Sequence, residues 1–259
     1  MTQIDRRVAL RTGAGAALAA TLATGCAGRE PDAPAAPARP PAPAAPVRPR
    51  AAPAPRRYPG QPQQIRHGPR DRPRVALTFH GQGDPATARA LLAEAARAGA
   101  RITVLAVGRW LDEHPELARL VLDGGHDLGN HTLSHRDVNA MSEAEAYAEI
   151  DGCAQRLRRL TGSIGSWFRP SRAELATEQV ARLARRAGYP HVLSYDVDSL
   201  DFTSPGAAAV TRTVTDRIRG GSVVSLHFGY ADTVAALPAL LDELDRRGLR
   251  AVTTTELLS

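Results

Sequence analysis

The chain contains no lysine, so its 33 strongly basic side chains are all arginines, against 27 acidic residues. The formal net charge of +6 arises within residues 1–64, where nine arginines face only three acids. The rest of the chain is formally neutral, with 24 residues of each sign. A nucleic-acid-binding domain carries its basic charge on the fold itself, so we expect no nucleic-acid partner.

Cysteine and long apolar runs are also scarce. Only Cys26 and Cys153 are present. If Cys26 is lipidated, Cys153 has no disulfide partner. We therefore expect Cys153 to be a helix-packing residue in a fold without disulfides. The longest apolar stretch, Val8–Ala23, is too short and too rich in small residues to predict a permanent membrane span.

Residues 1–26 have the pattern of an export signal. Arg6 and Arg7 precede the apolar stretch, which is typical of a twin-arginine signal peptide. Cys26 follows Ala23-Thr24-Gly25, which resembles a bacterial lipobox, so Cys26 is the expected lipidated N-terminus of the mature protein. The alternative is a plain signal peptide with an incidental cysteine. We expect an exported protein, anchored by lipid to the outer face of the cytoplasmic membrane or secreted.

A linker and one domain are expected after the signal. Residues 27–72 are rich in Pro, Ala and Arg, a composition that cannot form a core and favours extended, disordered chain. Residues 73–259 are long enough for one globular domain, which we expect to be monomeric.

Strand and helix patterns alternate through this domain. Buried-strand patterns are followed by amphipathic helices, so we predict an α/β fold with a parallel sheet covered by helices, either open or closed into a barrel. Chemistry in such folds is located at the carboxyl ends of the strands. The polar candidates at those ends are His80, His131, Arg169, Asp198 and His227.

Two histidines four residues apart, His131 and His135, are the strongest local signal. On a helical turn, residues i and i+4 share a face, so both rings could approach one metal ion. Neutral imidazole is a common zinc ligand, although this spacing alone is a weak signal.

Four motifs in order resemble those of the polysaccharide deacetylase family (NodB homology, carbohydrate esterase family 4). They are Asn130–His135, Phe168–Ser171, Tyr195–Phe202 and Ser225–His227, and the resemblance covers residues 74–252. It implies a distorted (β/α) barrel of the NodB type. It also implies that His131 and His135 hold a divalent metal, usually zinc, that Arg169 orients the catalytic base, and that His227 is the general acid.

The first family motif is altered in this chain. The family has Thr-Phe-Asp-Asp-Gly, in which one aspartate is the base and the next a metal ligand, whereas here His80 and Gly81 follow Phe79. Asp84 could be the third ligand, brought back by a flexible glycine loop. Alternatively, His80 is ligand or base while Asp84 only caps the next helix, since Asp-Pro is a strong helix start. A degenerate, non-catalytic site is the third alternative.

Hydrolysis of an N-acetyl amide needs a polarised carbonyl, an activated water and a proton for the departing amine. We assign the base to His80 or Asp84 and the acid to His227, with Asp201, or second Asp198, as the carboxylate beside it. Tyr195 and Leu226 are expected to enclose the acetyl methyl group.

The leading hypothesis is therefore a zinc-dependent deacetylase of an extracellular N-acetylated polysaccharide, such as peptidoglycan or a chitin-like oligomer. The alternatives are a non-catalytic cell-wall glycan-binding module and an amidase or esterase with a non-sugar substrate.

Overall fold

The computed structural model describes residues 51–259. The predicted signal peptide, Cys26 and residues 27–50 of the predicted linker lie outside the described residues. The strands are β1 (Gln64–Ile65), β2 (Arg74–Gly81), β3 (Thr103–Ala106), β4 (Asp127–Asn130), β5 (Val192–Leu193), β6 (Val197–Asp198), β7 (Val223–His227) and β8 (Arg250–Ala251). The helices are α1 (Pro85–Arg97), α2 (Gly108–Glu113), α3 (Pro115–Asp123), α4 (Glu143–Thr161), α5 (Glu178–Ala187), α6 (Ala207–Thr215), α7 (Ala231–Arg246) and α8 (Thr254–Leu257).

The strands form a distorted barrel. Five of them pair side by side in the order β4-β3-β2-β7-β6, all parallel, and β8 pairs with the start of β2. Phe168 bridges from β4 to β5, and β5 pairs with β1. An antiparallel bridge joins His67, which follows β1, to Ser222, which precedes β7, and this contact closes the barrel. The α/β fold of the NodB type is therefore confirmed.

Local sequence signals set the main helices. Asp84 caps α1 by accepting from the backbone N–H of Ala86, and Pro85 occupies the first turn. Ser142 and Glu145 form a capping box at the start of α4, which ends at Gly162 in the left-handed conformation (φ 79°). None of the helices within residues 51–259 is long and apolar enough to cross a membrane.

Two apolar layers lie on either side of the sheet. Alternate residues of β2 face opposite sides, so Ala76 joins Trp167 inside the barrel while Leu77 and Phe79 pack under the helices. Trp110 and Trp167 are both core residues. Cys153 is fully buried on α4, as expected for a helix-packing residue, and burial raises its pKa to about 12.

The predicted linker extends too far toward the C-terminus. Ile65 is completely buried in β1, and Tyr58 stacks on Trp167 with ring centroids 5.4 Å apart. Ala52 donates its backbone N–H to the carbonyl of Thr161 at 3.3 Å. The prediction of a linker through residue 72 is wrong for residues 51–72, because a few apolar side chains in this Pro-rich stretch pack on the domain.

Candidate active site

Four histidines gather at the carboxyl ends of the strands. His80 and His227 are paired residues at the ends of β2 and β7, while His131 and His135 lie in the loop after β4. All four line a cavity of about 330 Å³, and a second cavity of about 270 Å³ shares His80, His135 and His227. The sequence thus correctly places these side chains at one end of the barrel.

The loop that carries His131 and His135 is not helical, so the predicted helical turn is wrong. The chain bends through left-handed conformations at Thr132 (φ 68°) and His135 (φ 57°). Such backbone is strained for residues other than glycine and needs support from its surroundings. Glu149 of α4 supplies it by accepting from both the backbone N–H and the hydroxyl of Ser134, at 2.8 and 2.5 Å.

His131 has a fixed tautomer. Its Nδ1 lies 3.0 Å from the carbonyl oxygen of Arg169, and since a carbonyl only accepts, Nδ1 carries the proton. Its Nε2 therefore has a free lone pair, and this buried atom has no hydrogen-bond partner. Burial lowers the pKa of His131 well below its usual value, so the ring is neutral. This is the state that a metal-ligating histidine adopts.

His80 also carries its proton on Nδ1, but its unpartnered atom is the donor and not the acceptor. Arg169 Nη1 donates to His80 Nε2 at 3.1 Å, so the proton of the neutral ring is on Nδ1, which is buried and has no partner. Burial and the neighbouring His131 lower the pKa of His80 well below its usual value. Because Arg169 engages its only lone pair, His80 is a hydrogen-bond donor here, which contradicts its predicted role as base.

Arg169 is a fully buried cation. Its Nε and Nη2 donate to the carbonyls of Leu193 and Ser194 at 3.1 and 2.9 Å, and its guanidinium lies 5.3 Å from the ring centroid of Tyr195. Burial lowers the pKa of Arg169 to about 10, so it remains protonated at neutral pH. Arg169 therefore orients His80, the residue at the position of the family's base.

His227 is oriented by Asp201. Asp201 is completely buried and accepts from His227 Nδ1 at 2.7 Å and from the His227 backbone N–H at 2.8 Å. The hydroxyl of Thr233 donates to the same carboxylate at 2.6 Å. Asp201 is therefore the carboxylate partner of His227, as preferred over Asp198. Asp198 lies on the cavity wall and accepts from the backbone N–H of Leu200.

Two predicted site residues lie elsewhere. Asp84 is exposed at the start of α1, where its carboxylate caps the helix, and it lines neither cavity. This contradicts its predicted roles as metal ligand and base. Leu226 faces away from the cavity, because strand alternation turns it into the core under the helices, so its predicted substrate contact is wrong. Tyr195 does line the cavity, and burial raises its pKa to about 12.

The residues present do not fit the predicted three-ligand zinc centre. His131 and His135, with ring centroids 5.0 Å apart, suit two tetrahedral ligands of one ion, whose centroids would be about 5 Å apart. His80 stacks on His131 with planes inclined by only 13°, and nearly parallel rings cannot direct in-plane lone pairs at one ion. Gly81, which replaces an aspartate of the family, has no side chain that could bind a metal. A Cβ at this position would lie only 3.1 Å from the backbone of Ala106, so there is little room for a larger residue. Among residues 51–259, no group of three His, Cys, Asp or Glu side chains is placed to hold a metal.

Two aromatic residues at the cavity, Tyr230 and Phe202, are not among the predicted site residues. Tyr230 lines both cavities, and its ring lies edge-on to His227 with centroids 5.7 Å apart. Phe202 is 45% exposed and lies 5.6 Å from the same ring. Phe202 is the last residue of the fourth family motif, Tyr195–Phe202, and this position was the available signal. Exposed aromatic rings at a cavity rim are suited to contact the apolar faces of sugars.

Comparisons with known proteins identify the family of this chain. The family model for polysaccharide deacetylases matches residues 67–192. A peptidoglycan-N-acetylglucosamine deacetylase of Bacillus cereus is 32% identical over 189 residues, covering 71% of this chain and 87% of the relative. A chitooligosaccharide deacetylase of Bradyrhizobium is 28% identical over 197 residues, covering 67% and 85%.

A solved structure shares the fold. The wild-type carbohydrate esterase family 4 pseudoenzyme of Bacillus anthracis superposes with a TM-score of 0.72 at 22% identity, covering 77% of this chain and 70% of that one. The extent of the sequence match to the Bacillus cereus deacetylase, with the shared fold beside it, shows that this chain belongs to the polysaccharide deacetylase family.

Proposed function

We propose that this protein hydrolyses the N-acetyl groups of an extracellular glycan. The observation that carries this proposal is the pair of buried, unpartnered atoms of opposite character: the Nδ1–H of His80 is a donor and the Nε2 of His131 is an acceptor. Leaving such atoms unpaired costs about 1–3 kcal/mol each, so their presence together favours a bound polar group. An acetyl carbonyl, which accepts from His80, and a water molecule, which donates to His131, complement them.

The same residues supply the proton transfers of amide hydrolysis. Water attacks the acetyl carbonyl while the neutral His131 Nε2 takes its proton, and the Nδ1–H of His80 stabilises the developing negative oxygen. The C–N bond then breaks as His227, oriented by Asp201, protonates the departing sugar nitrogen. The products are acetate and the free amine. No step is assigned to a metal, because the three-ligand set is incomplete.

A second candidate is a glycan-binding module without catalysis. It is favoured because Gly81 offers no metal-binding side chain and because residues 51–259 contain no third ligand for a zinc ion. In that case the histidine pair recognises the acetamido group but does not cleave it. The B. cereus and Bradyrhizobium relatives are named for peptidoglycan and chitooligosaccharides, and both are candidate ligands.

One experiment separates the candidates. Acetate release and equilibrium binding are measured on the same purified protein with N-acetylglucosamine oligomers and peptidoglycan, for wild type and for His227→Gln. Acetate release that is lost in the variant supports the enzyme. Binding without acetate release supports the module and contradicts the enzyme.

Export is part of the proposal. The paired arginines and the sequence around Cys26 support transport across the cytoplasmic membrane, with a lipid anchor at Cys26. Labelling with a radioactive fatty acid tests the anchor, and Cys26→Ser should abolish the label. A label that persists in this variant would contradict lipidation at Cys26.

A further inference from the structure

Arg172 carries a positive charge on the wall of the cavity. It lies three residues after Arg169 in a left-handed conformation (φ 59°), and its Nε donates to the carbonyl of His135 at 3.1 Å. Its two terminal nitrogens form no hydrogen bond or ion pair within residues 51–259. One bond thus fixes the direction of the guanidinium while its two outer nitrogens stay available.

The acids on the same wall do not neutralise Arg172. Glu174 is paired with Arg66 at 2.5 Å, so its charge is already balanced. Asp198 accepts from the backbone of Leu200 and forms no ion pair with Arg172. The wall beside His135 therefore presents an unbalanced cation to whatever enters the cavity.

A guanidinium held in this way is suited to a planar anion. Its outer nitrogens match the two oxygens of a carboxylate, and fixing Nε in advance reduces the ordering cost of binding. The hydroxyl and carbonyl oxygens of a neutral sugar oligomer can accept from this guanidinium, but they carry no negative charge to balance it.

We propose that Arg172 binds a carboxylate on the glycan, so that the protein prefers strands of acidic N-acetylated sugars to neutral N-acetylglucosamine oligomers. This inference rests on the proposed binding of an N-acetylated glycan in the cavity. The carboxylate belongs either to a lactyl ether, as in N-acetylmuramic acid, or to a uronic acid ring. The contact is open to solvent, so the preference falls as ionic strength rises.

The test is equilibrium binding by titration calorimetry, with four glycans of equal length. The first is a neutral N-acetylglucosamine oligomer, and the second alternates N-acetylglucosamine with N-acetylmuramic acid carrying free lactyl carboxylates. The third is the second with its carboxylates amidated, and the fourth alternates N-acetylglucosamine with glucuronic acid. Wild type should bind at least one acidic strand about tenfold more tightly than the neutral and amidated strands. The tighter acidic strand identifies the source of the carboxylate.

Variants assign the preference to Arg172. Arg172→Gln should bind all four strands with equal affinity, Arg172→Lys should keep part of the preference, and Arg185→Gln, on the exposed surface of α5 and outside the cavity, should behave as wild type. Urea unfolding of each variant verifies the fold. A preference that survives in folded Arg172→Gln, or no preference in wild type, overturns the inference. A preference without acetate release contradicts the proposed hydrolysis and leaves the role of Arg172 standing.

Discussion

Arg169 donates to Nε2 of His80 at 3.1 Å, and this bond determines what the altered first motif can do. A guanidinium cannot accept a hydrogen bond, so the contact fixes the proton of His80 on Nδ1. With its lone pair engaged and its ring stacked on His131, His80 cannot complete a metal site in this arrangement. The residue that replaces an aspartate of the family is therefore a donor, not a base or a ligand.

The protein should bind zinc only weakly. With two protein ligands in place of three, the purified protein should retain well below one zinc per chain after dialysis. The measurement is metal content by mass spectrometry, with His131→Ala and His135→Ala as the variants that remove the remaining ligands. One tightly held zinc per chain, lost in both His131→Ala and His80→Ala, would contradict the stacked arrangement.

Asp84 should contribute to stability and not to metal binding. Asp84→Ala removes the cap of α1 and should lower the free energy of unfolding by about 1 kcal/mol. Asp84→Ser is the matched control, since serine also caps helices but has no carboxylate, and it should restore most of the stability. Both are measured by urea unfolding alongside acetate release. A loss of acetate release in Asp84→Ser would return Asp84 to the site.

Asp201 should matter far more than Asp198. Asp201→Asn replaces one accepting oxygen by an amide donor, so the three hydrogen bonds to the carboxylate cannot all be kept and His227 loses its orienting charge. We expect acetate release to fall by about 100-fold or more. Asp198→Asn can still accept from Leu200 N–H and leaves the bonds to His227 in place, so the loss of its charge should have a much smaller effect. Equal losses in the two variants would contradict this assignment.

Stability should fall in mild acid, in part through His126. This side chain is buried at the start of β4, where its Nδ1 accepts from the backbone N–H of Ile102, and burial followed by Arg101 lowers its pKa to about 4. The unfolded chain, with a pKa of about 6.5, binds the proton first as pH falls. The contribution of neutral His126 is thus complete above about pH 6.5 and is lost toward pH 4, amounting to about 3 kcal/mol.

The control for this pH dependence is His126→Asn, whose side-chain oxygen can accept the Ile102 N–H without titrating. Urea unfolding at pH 7 and pH 4.5 should show a smaller difference for the variant than for wild type. His80, His131 and His135 also have pKa values lowered by burial, so part of the dependence remains. An equal difference in both proteins would show that His126 does not contribute.

Local signals in the sequence predict much of the fold. Asp84 with Pro85, and Ser142 with Glu145, mark helix starts through their own side-chain chemistry, so α1 and α4 begin where expected. Thr177 marks the start of α5 in the same way, by accepting from the backbone N–H of Val180. The two-residue strand β1 has no such local signal, because its distant partner β5 defines it. Helix α2 has none either, since Val107 provides no side-chain cap.

The site is predictable only as a set of strand ends. Residues that follow parallel strands meet at one edge, and this brings His80, Arg169 and His227 together. Which way each ring points depends on contacts made after folding, such as the bond from Arg169 to His80 and the left-handed backbone at His135. Neither the donor role of His80 nor the separation of Asp84 from the histidines follows from spacing.

The contact between Ala52 and Thr161 has a consequence for how a polymer reaches the cavity. The first described residues lie beside His126 and Asp127, at the amino ends of the strands, whereas the histidines lie at the carboxyl ends. Residue 51, where the described part of the chain begins, thus lies on the face opposite to the cavity. A glycan bound in the cavity, as proposed, approaches the domain from the other face.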